Sequence, residues 1–213
     1  MYLFEIKKLG VKSPEKEILK AISFTVEPGS HLTITGPSGS GKSTILKVLA
    51  TLQSYDSGDV FYKGKDLASL NPIPYRQEVS YCFQQPVLFG ETVRDNLSFP
   101  FEIRNLPFDE EKAHKMLQDV HLDPSFLDHP ITKLSGGEKQ RIALIRNLMF
   151  EPEVILLDEV TAGLDIETKE IVRALIERIH VAGTTIIEVT HDNDELAHAT
   201  QLLEIVEGEL THE

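Results

Sequence analysis

A single cysteine, Cys82, stands in a chain of 213 residues. An internal disulfide is therefore excluded, and its strand-like neighbours "VSYCFQ" mark the thiol as a small buried side chain suited to a reducing compartment. No run approaches the ~18 apolar residues of a membrane-crossing helix. The N-terminal "MYLFEIKKLG" has charges inside its apolar stretch, unlike the unbroken core of a secretory signal. Any membrane role is thus expected to come through a partner. Cations are also scarce: 21 Lys plus Arg face 34 Asp plus Glu, a net charge of −13, which disfavours nonspecific binding to nucleic acid or an anionic bilayer. Internal repeats and low-complexity tracts are missing. The histidines at 31, 114, 121, 129, 180, 198 and 212 show no paired metal-ligand spacing. The Asn-Lys-x-Asp pattern that reads guanine in GTP-binding proteins is absent too.

What is present is ordinary for one folded domain: 41% hydrophobic and 26% charged residues, in a length that buries a sizeable core. "HLTIT" (31–35) reads as a strand entering a glycine-rich loop, followed by Ile45, Val48, Leu49 and Leu52 at helical spacing. "GDVFYKG" (58–64) and "EVSYCF" (78–83) suggest short strands, with "SLNPIPYR" between them expected as a loop on its two prolines. From 92 to 133, prolines at 100, 107, 124 and 130 punctuate short segments, and Ala113, Met116, Leu117 and Val120 share a helical face whose first turn is acidic. This segment is expected to be a helical subdomain inserted into an α/β core made of 1–91 and 134–213. "EVILLDE" (153–159) and "TTIIEVTH" (184–191) suit buried parallel strands, with a helix marked by Val172, Leu175, Ile176 and Ile179 between them.

Gly36-Pro37-Ser38-Gly39-Ser40-Gly41-Lys42-Ser43-Thr44 fits a P-loop, whose glycines let backbone N–H groups approach phosphate oxygens at a helix N-terminus. Lys42 would hold the β and γ phosphates, and Ser43 would ligate Mg²⁺. Asp158, at a buried strand end, can anchor hydrated Mg²⁺, and Glu159 can orient and deprotonate a water. His191 follows another strand and is placed to contact a γ phosphate. A second glycine-rich turn, "LSGGEKQR" (134–141), has no lysine directly after its glycines. Ser135 and Glu138 match a capping box. Gly136 and Gly137 also expose N–H groups that can bind an anion, so Ser135 would have to divide itself between cap and phosphate.

"LSGGEKQR" resembles the signature of the ATP-binding cassette (ABC) ATPases, and the other motifs stand around it in that family's order over essentially the whole chain. The resemblance implies a P-loop NTPase fold of ABC-ATPase type, with an antiparallel β subdomain and an inserted helical subdomain. It makes Gln84 the glutamine that senses Mg²⁺ and the membrane partner, "AGLD" (162–165) with Asp165 the loop beside the nucleotide, and His191 the switch histidine. It implies head-to-tail homodimers in which Ser135, Gly136 and Gly137 of one copy face the phosphates held by the other. ATP binding would close the dimer and hydrolysis reopen it, driving an integral membrane subunit from the inner, cytoplasmic face of the cell membrane. "YRQEVSYCFQQPVLFGETVRDNL" and "VTHDNDE" are similar to a short bacterial subgroup, the FetA-type ATPases of iron export. Importers of phosphate or amino acids, and non-transport members acting on ribosomes or DNA, are the alternatives. Two departures stand out. The family's adenine-stacking aromatic is missing from "LGVKSPEKE" (9–17), leaving Val11 as an apolar platform, and the signature has Glu138 where glutamine is common.

Overall fold

The computed structural model describes residues 1–212. In chain order the regular elements are β1 (Phe4–Lys12), β2 (Glu17–Val26), β3 (His31–Thr35), α1 (Lys42–Leu49), β4 (Ser57–Tyr62), β5 (Lys65–Asp66), α2 (Pro72–Glu78), β6 (Val79–Cys82), α3 (Val93–Glu102), α4 (Glu110–Asp119), α5 (Gly136–Leu148), β7 (Val154–Asp158), α6 (Ile166–Val181), β8 (Thr185–Val189), α7 (Asn193–His198), β9 (Gln201–Val206) and β10 (Glu209–His212). They form a mixed α/β fold with a largely parallel sheet, a separate antiparallel sheet and a helical insert.

The chain divides into two compact units, Met1–Tyr81 with Glu153–Glu159 and Gly183–Glu213, and Cys82–Pro152 with Val160–Ala182. In the first, β2-β1-β4-β5 make an antiparallel sheet, and β10-β9-β3-β8-β7-β6 a second sheet in which β3 runs parallel to β8 and β9, and β7 parallel to β8. β7 is buried at all five positions, the continuous apolar run of a strand covered on both faces. β2 instead alternates toward its C-terminal end, as a strand with one wet face does. Phe4, Ile34, Ile45, Leu156, Ile187 and Ile205 belong to one core, and α1 packs on β7 and β8. Parallel pairing of β3, β7 and β8 brings their C-terminal ends to one edge, where such sheets place ligands.

In the second unit, Val93, Leu97 and Phe101 of α3, Ala113 and Leu117 of α4, and Ile142 and Ile145 of α5 are buried. The helical segment expected at 92–133 lies inside this unit, which extends beyond it because α5 packs on α3 and α4.

Three local readings are corrected. "NPIPYR" is helical, because Asn71 caps α2 by accepting from the Ile73 N–H at 3.0 Å and both prolines fall in the first turn, where their missing N–H costs nothing. Pro100 lies within α3 rather than ending it: Thr92 and Asp95 close a capping box, and burial of Leu97 and Phe101 sustains the helix across the proline. Leu52 lies beyond α1, which stops at Leu49 before Thr51 turns the chain at φ 56°.

Candidate functional site

The loop from β3 into α1 is shaped by glycines that no other residue could replace cheaply. At Gly36 (φ 132°) a Cβ would stand 2.0 Å from the Ile205 carbonyl oxygen, and at Gly41 (φ 106°) 2.5 Å from Leu19 Cδ2, whereas Gly39 (φ 76°) faces open space. Lys42 folds back across the loop, its Nζ donating to the carbonyls of Gly36 at 2.7 Å and Pro37 at 2.9 Å. Burial draws the Lys42 pKa below its ordinary value, against the opposing pull of Glu159 and then Asp158. Gly41 offers α1 no side-chain cap, and the N–H groups of Lys42, Ser43 and Thr44 meet no acceptor among the described residues. The buried Ser40 hydroxyl likewise has no hydrogen-bond partner among the described residues. An uncapped helix start, a cation and an unpaired hydroxyl make a setting that fits a phosphate group.

At the end of β7, Asp158 is 5% exposed and has a donor on each oxygen: Ser43 Oγ to Oδ1 at 2.7 Å and the Tyr81 hydroxyl to Oδ2 at 2.6 Å. Ser43 gives Asp158 its only proton and keeps lone pairs for a cation. Among the described residues no group of three or more His, Cys, Asp or Glu could hold a metal by itself. One carboxylate and one hydroxyl instead suit Mg²⁺, which keeps waters and takes its other oxygens from a phosphate substrate. Glu159 adopts φ 50°, a left-handed backbone that strains a residue with a side chain, and its N–H donates to the Val189 carbonyl at 3.0 Å. His191 Nδ1 lies 3.4 Å from Glu159 Oε1, with 63% of the imidazole exposed. The turn carrying it is tied by Thr190, whose hydroxyl donates to Glu195 and accepts from the Asp192 N–H. The loop, both carboxylates and the histidine thus belong to one compact unit. Sequence reading missed Tyr81, whose only signal is a contact across 77 residues.

In the second unit, Ser135 and Glu138 close the expected capping box: the Glu138 N–H donates to Ser135 Oγ at 3.2 Å, and the Ser135 N–H to Glu138 Oε2 at 2.7 Å. The cap draws on a lone pair of Ser135, so its proton stays available and the hydroxyl need not divide itself. The N–H groups of Gly136 and Gly137 donate to no acceptor among the described residues. Gly137 is also tightly placed, since a Cβ there would stand 3.1 Å from the Thr168 side chain and push it aside, while Gly136 has open space. Asp165 caps α6, accepting from the N–H and hydroxyl of Thr168 at 2.9 and 2.8 Å, and these bonds hold its carboxyl below the usual range. Gln84 is exposed. Val11 corrects the sequence reading: at 1% exposure it belongs to the β1 core and presents no face to a base.

The profile of the family described as "ABC transporter" matches residues 19–162. The chain is 46% identical over 202 residues to the "Probable iron export ATP-binding protein FetA" of Escherichia coli, covering 94% of this chain and 90% of that one. It is 37% identical over 200 residues to an energy-coupling factor transporter ATP-binding protein of Enterococcus faecalis, covering 92% and 71%. Among solved structures, a dimeric ATP-binding cassette in a post-hydrolysis state with ADP and Pi superposes with a TM-score of 0.88 at 28% identity, covering 98% and 97%.

The two signature glycines should separate in stability measurements. Gly136→Ala is expected to stabilise the folded chain by up to about 1 kcal/mol by favouring the helix. Gly137→Ala should lose that gain by displacing Thr168 from Asp165. Urea denaturation of both variants checks the ordering.

Proposed function

We propose, from the premise that this chain belongs to the ABC transporter family as an ATPase subunit, that it powers export of iron or a similar metal ion through an integral membrane partner on the inner face of the cell membrane. The ATPase part rests on one observation: a phosphate-ready loop, a buried carboxylate paired with Ser43, and a second carboxylate beside His191 lie within one unit. The cargo rests on the 46% identity to a protein named for iron export. No helix among the described residues is long and apolar enough to cross a membrane, so a permeation path would have to come from the partner.

Each residue has a role in this reading. The amides of Gly39 and of Gly41 to Thr44 and the Lys42 ammonium bind the nucleotide's phosphates, the Ser40 amide being used within the loop on the Pro37 carbonyl. Ser43 and Asp158 hold Mg²⁺, with Gln84 joining them in the assembled state. Mg²⁺ supplies charge neutralisation to the phosphates. Glu159 orients the attacking water and accepts its proton, and His191 steadies Glu159 and reaches toward the γ phosphate. Gly136, Gly137 and the free Ser135 proton complete the site of a second copy, with Asp165 lining the same interface, so hydrolysis requires a head-to-tail dimer. ATP closes that dimer and hydrolysis releases it, because the closed form alone has both halves of each site filled.

Glu159→Gln should retain ATP binding, lower turnover by the ~10²- to 10⁴-fold expected for a general base, and run as an ATP-dependent dimer in size exclusion. Hydrolysis at the wild-type rate would remove Glu159 from its role. Glu138→Gln keeps the cap acceptor and removes a charge near the shared phosphates. It should tighten ATP-dependent dimerisation by about fivefold, the scale of one like-charge contact, without moving the melting temperature of the monomer. Co-expressed with the membrane protein encoded beside it, the chain should co-purify with it and show ATPase activity that rises with Fe²⁺ in reconstituted vesicles. Recovery on a ribosomal subunit instead would overturn the transport reading.

A further inference from the structure

We infer that Tyr81 is a positioning residue for the Mg²⁺-binding carboxylate: its hydroxyl holds Asp158 in the rotation that presents the other oxygen to Ser43. The inference rests on the proposed Mg²⁺ site and assigns it a member outside the loop and the strand-end carboxylates.

An aspartate's χ2 is a soft, broad torsion, so a carboxylate at a strand end turns freely unless something fixes it. Asp158 is fixed twice. Ser43 Oγ donates to Oδ1 at 2.7 Å and the Tyr81 hydroxyl donates to Oδ2 at 2.6 Å, and the second bond lies in a fully buried setting. Tyr81 is itself held: it is 8% exposed, part of the hydrophobic core, and stands on β6, the neighbour of β7 in the sheet. The phenol is thus a rigid donor on a strand, whereas Ser43 is a short side chain on the first turn of α1. A hydroxyl within reach of a cation keeps its value as a ligand only if its proton has a fixed acceptor, and Tyr81 keeps that acceptor in place. A phenylalanine at 81 would fill nearly the same volume but leave Oδ2 without its phenol donor. A Mg²⁺ ion binding there would then have to order the carboxylate as well as bind to it. Tyr81 is followed by Cys82, Phe83 and Gln84, so the strand that fixes the carboxylate leads directly into the residue proposed to sense the same ion.

The test is equilibrium binding of a fluorescent ATP analogue to wild type, Tyr81→Phe, Asp158→Asn and the double variant, with EDTA and across a Mg²⁺ titration. Tyr81→Phe should raise the Mg²⁺ concentration at half effect about tenfold, the scale of one hydrogen bond to a charged group. Affinity in EDTA should stay unchanged, while the melting temperature without nucleotide should fall by a few degrees because the buried Oδ2 loses a donor. In the Asp158→Asn background the same substitution should shift nothing further, because the two residues act as one unit. An unchanged Mg²⁺ midpoint, an equal loss of affinity with and without Mg²⁺, or fully additive effects would each overturn the inference. Failure of the Mg²⁺ site itself looks different: wild type would then bind the analogue equally well with and without the ion, and the role given to Tyr81 would fall with it.

Discussion

A carboxylate withdrawn from water has to be met by donors, and Asp158 imposes that demand where β7 ends. The answer draws on distant parts of the chain, Ser43 at the start of α1 and Tyr81 on β6, which only the sheet brings together. Lys42 lies in the field of the same carboxylate and of Glu159, so the loop, the strand end and the turn after β8 form one electrostatic system. Loss of register between β3, β7 and β8 would disperse these groups even if every motif were intact.

The two glycine-rich turns, each proposed to meet an anion, are built on opposite local devices. The first leaves its helix without a side-chain cap and folds a cation back onto the carbonyls of the loop. The second satisfies its helix with a capping box that occupies the amides of Ser135 and Glu138 and leaves those of Gly136 and Gly137 without an acceptor among the described residues. A lysine directly after the second pair of glycines would duplicate what the first loop already carries.

The strands β3, β7 and β8 were legible because their patterns are simple apolar runs, and the motifs were legible because each is contiguous. The β1–β2 hairpin was not read. Its register shifts around Leu9 and the left-handed residues Lys8 and Ala21 break the alternation that marks a half-buried strand. α2 was obscured by prolines whose position relative to Asn71, rather than their presence, decides the outcome. Val11 looked available for stacking because only its neighbours in sequence could be weighed, and its burial comes from the core that the folded chain assembles on that face of β1. Tyr81 is the same problem in reverse, an ordinary strand residue whose importance comes entirely from what lies opposite it.

The left-handed backbone of Glu159 sets the stability of the fold against the catalytic role proposed for this carboxylate. At φ 50° a glycine would sit without strain, so the most comfortable residue for the fold is one that carries no base. Glutamate persists there at a cost of the order of 1 kcal/mol or more, which the buried strand before it and the amide bond to Val189 must absorb. Selection for a sturdier chain alone would erode the site at this position first.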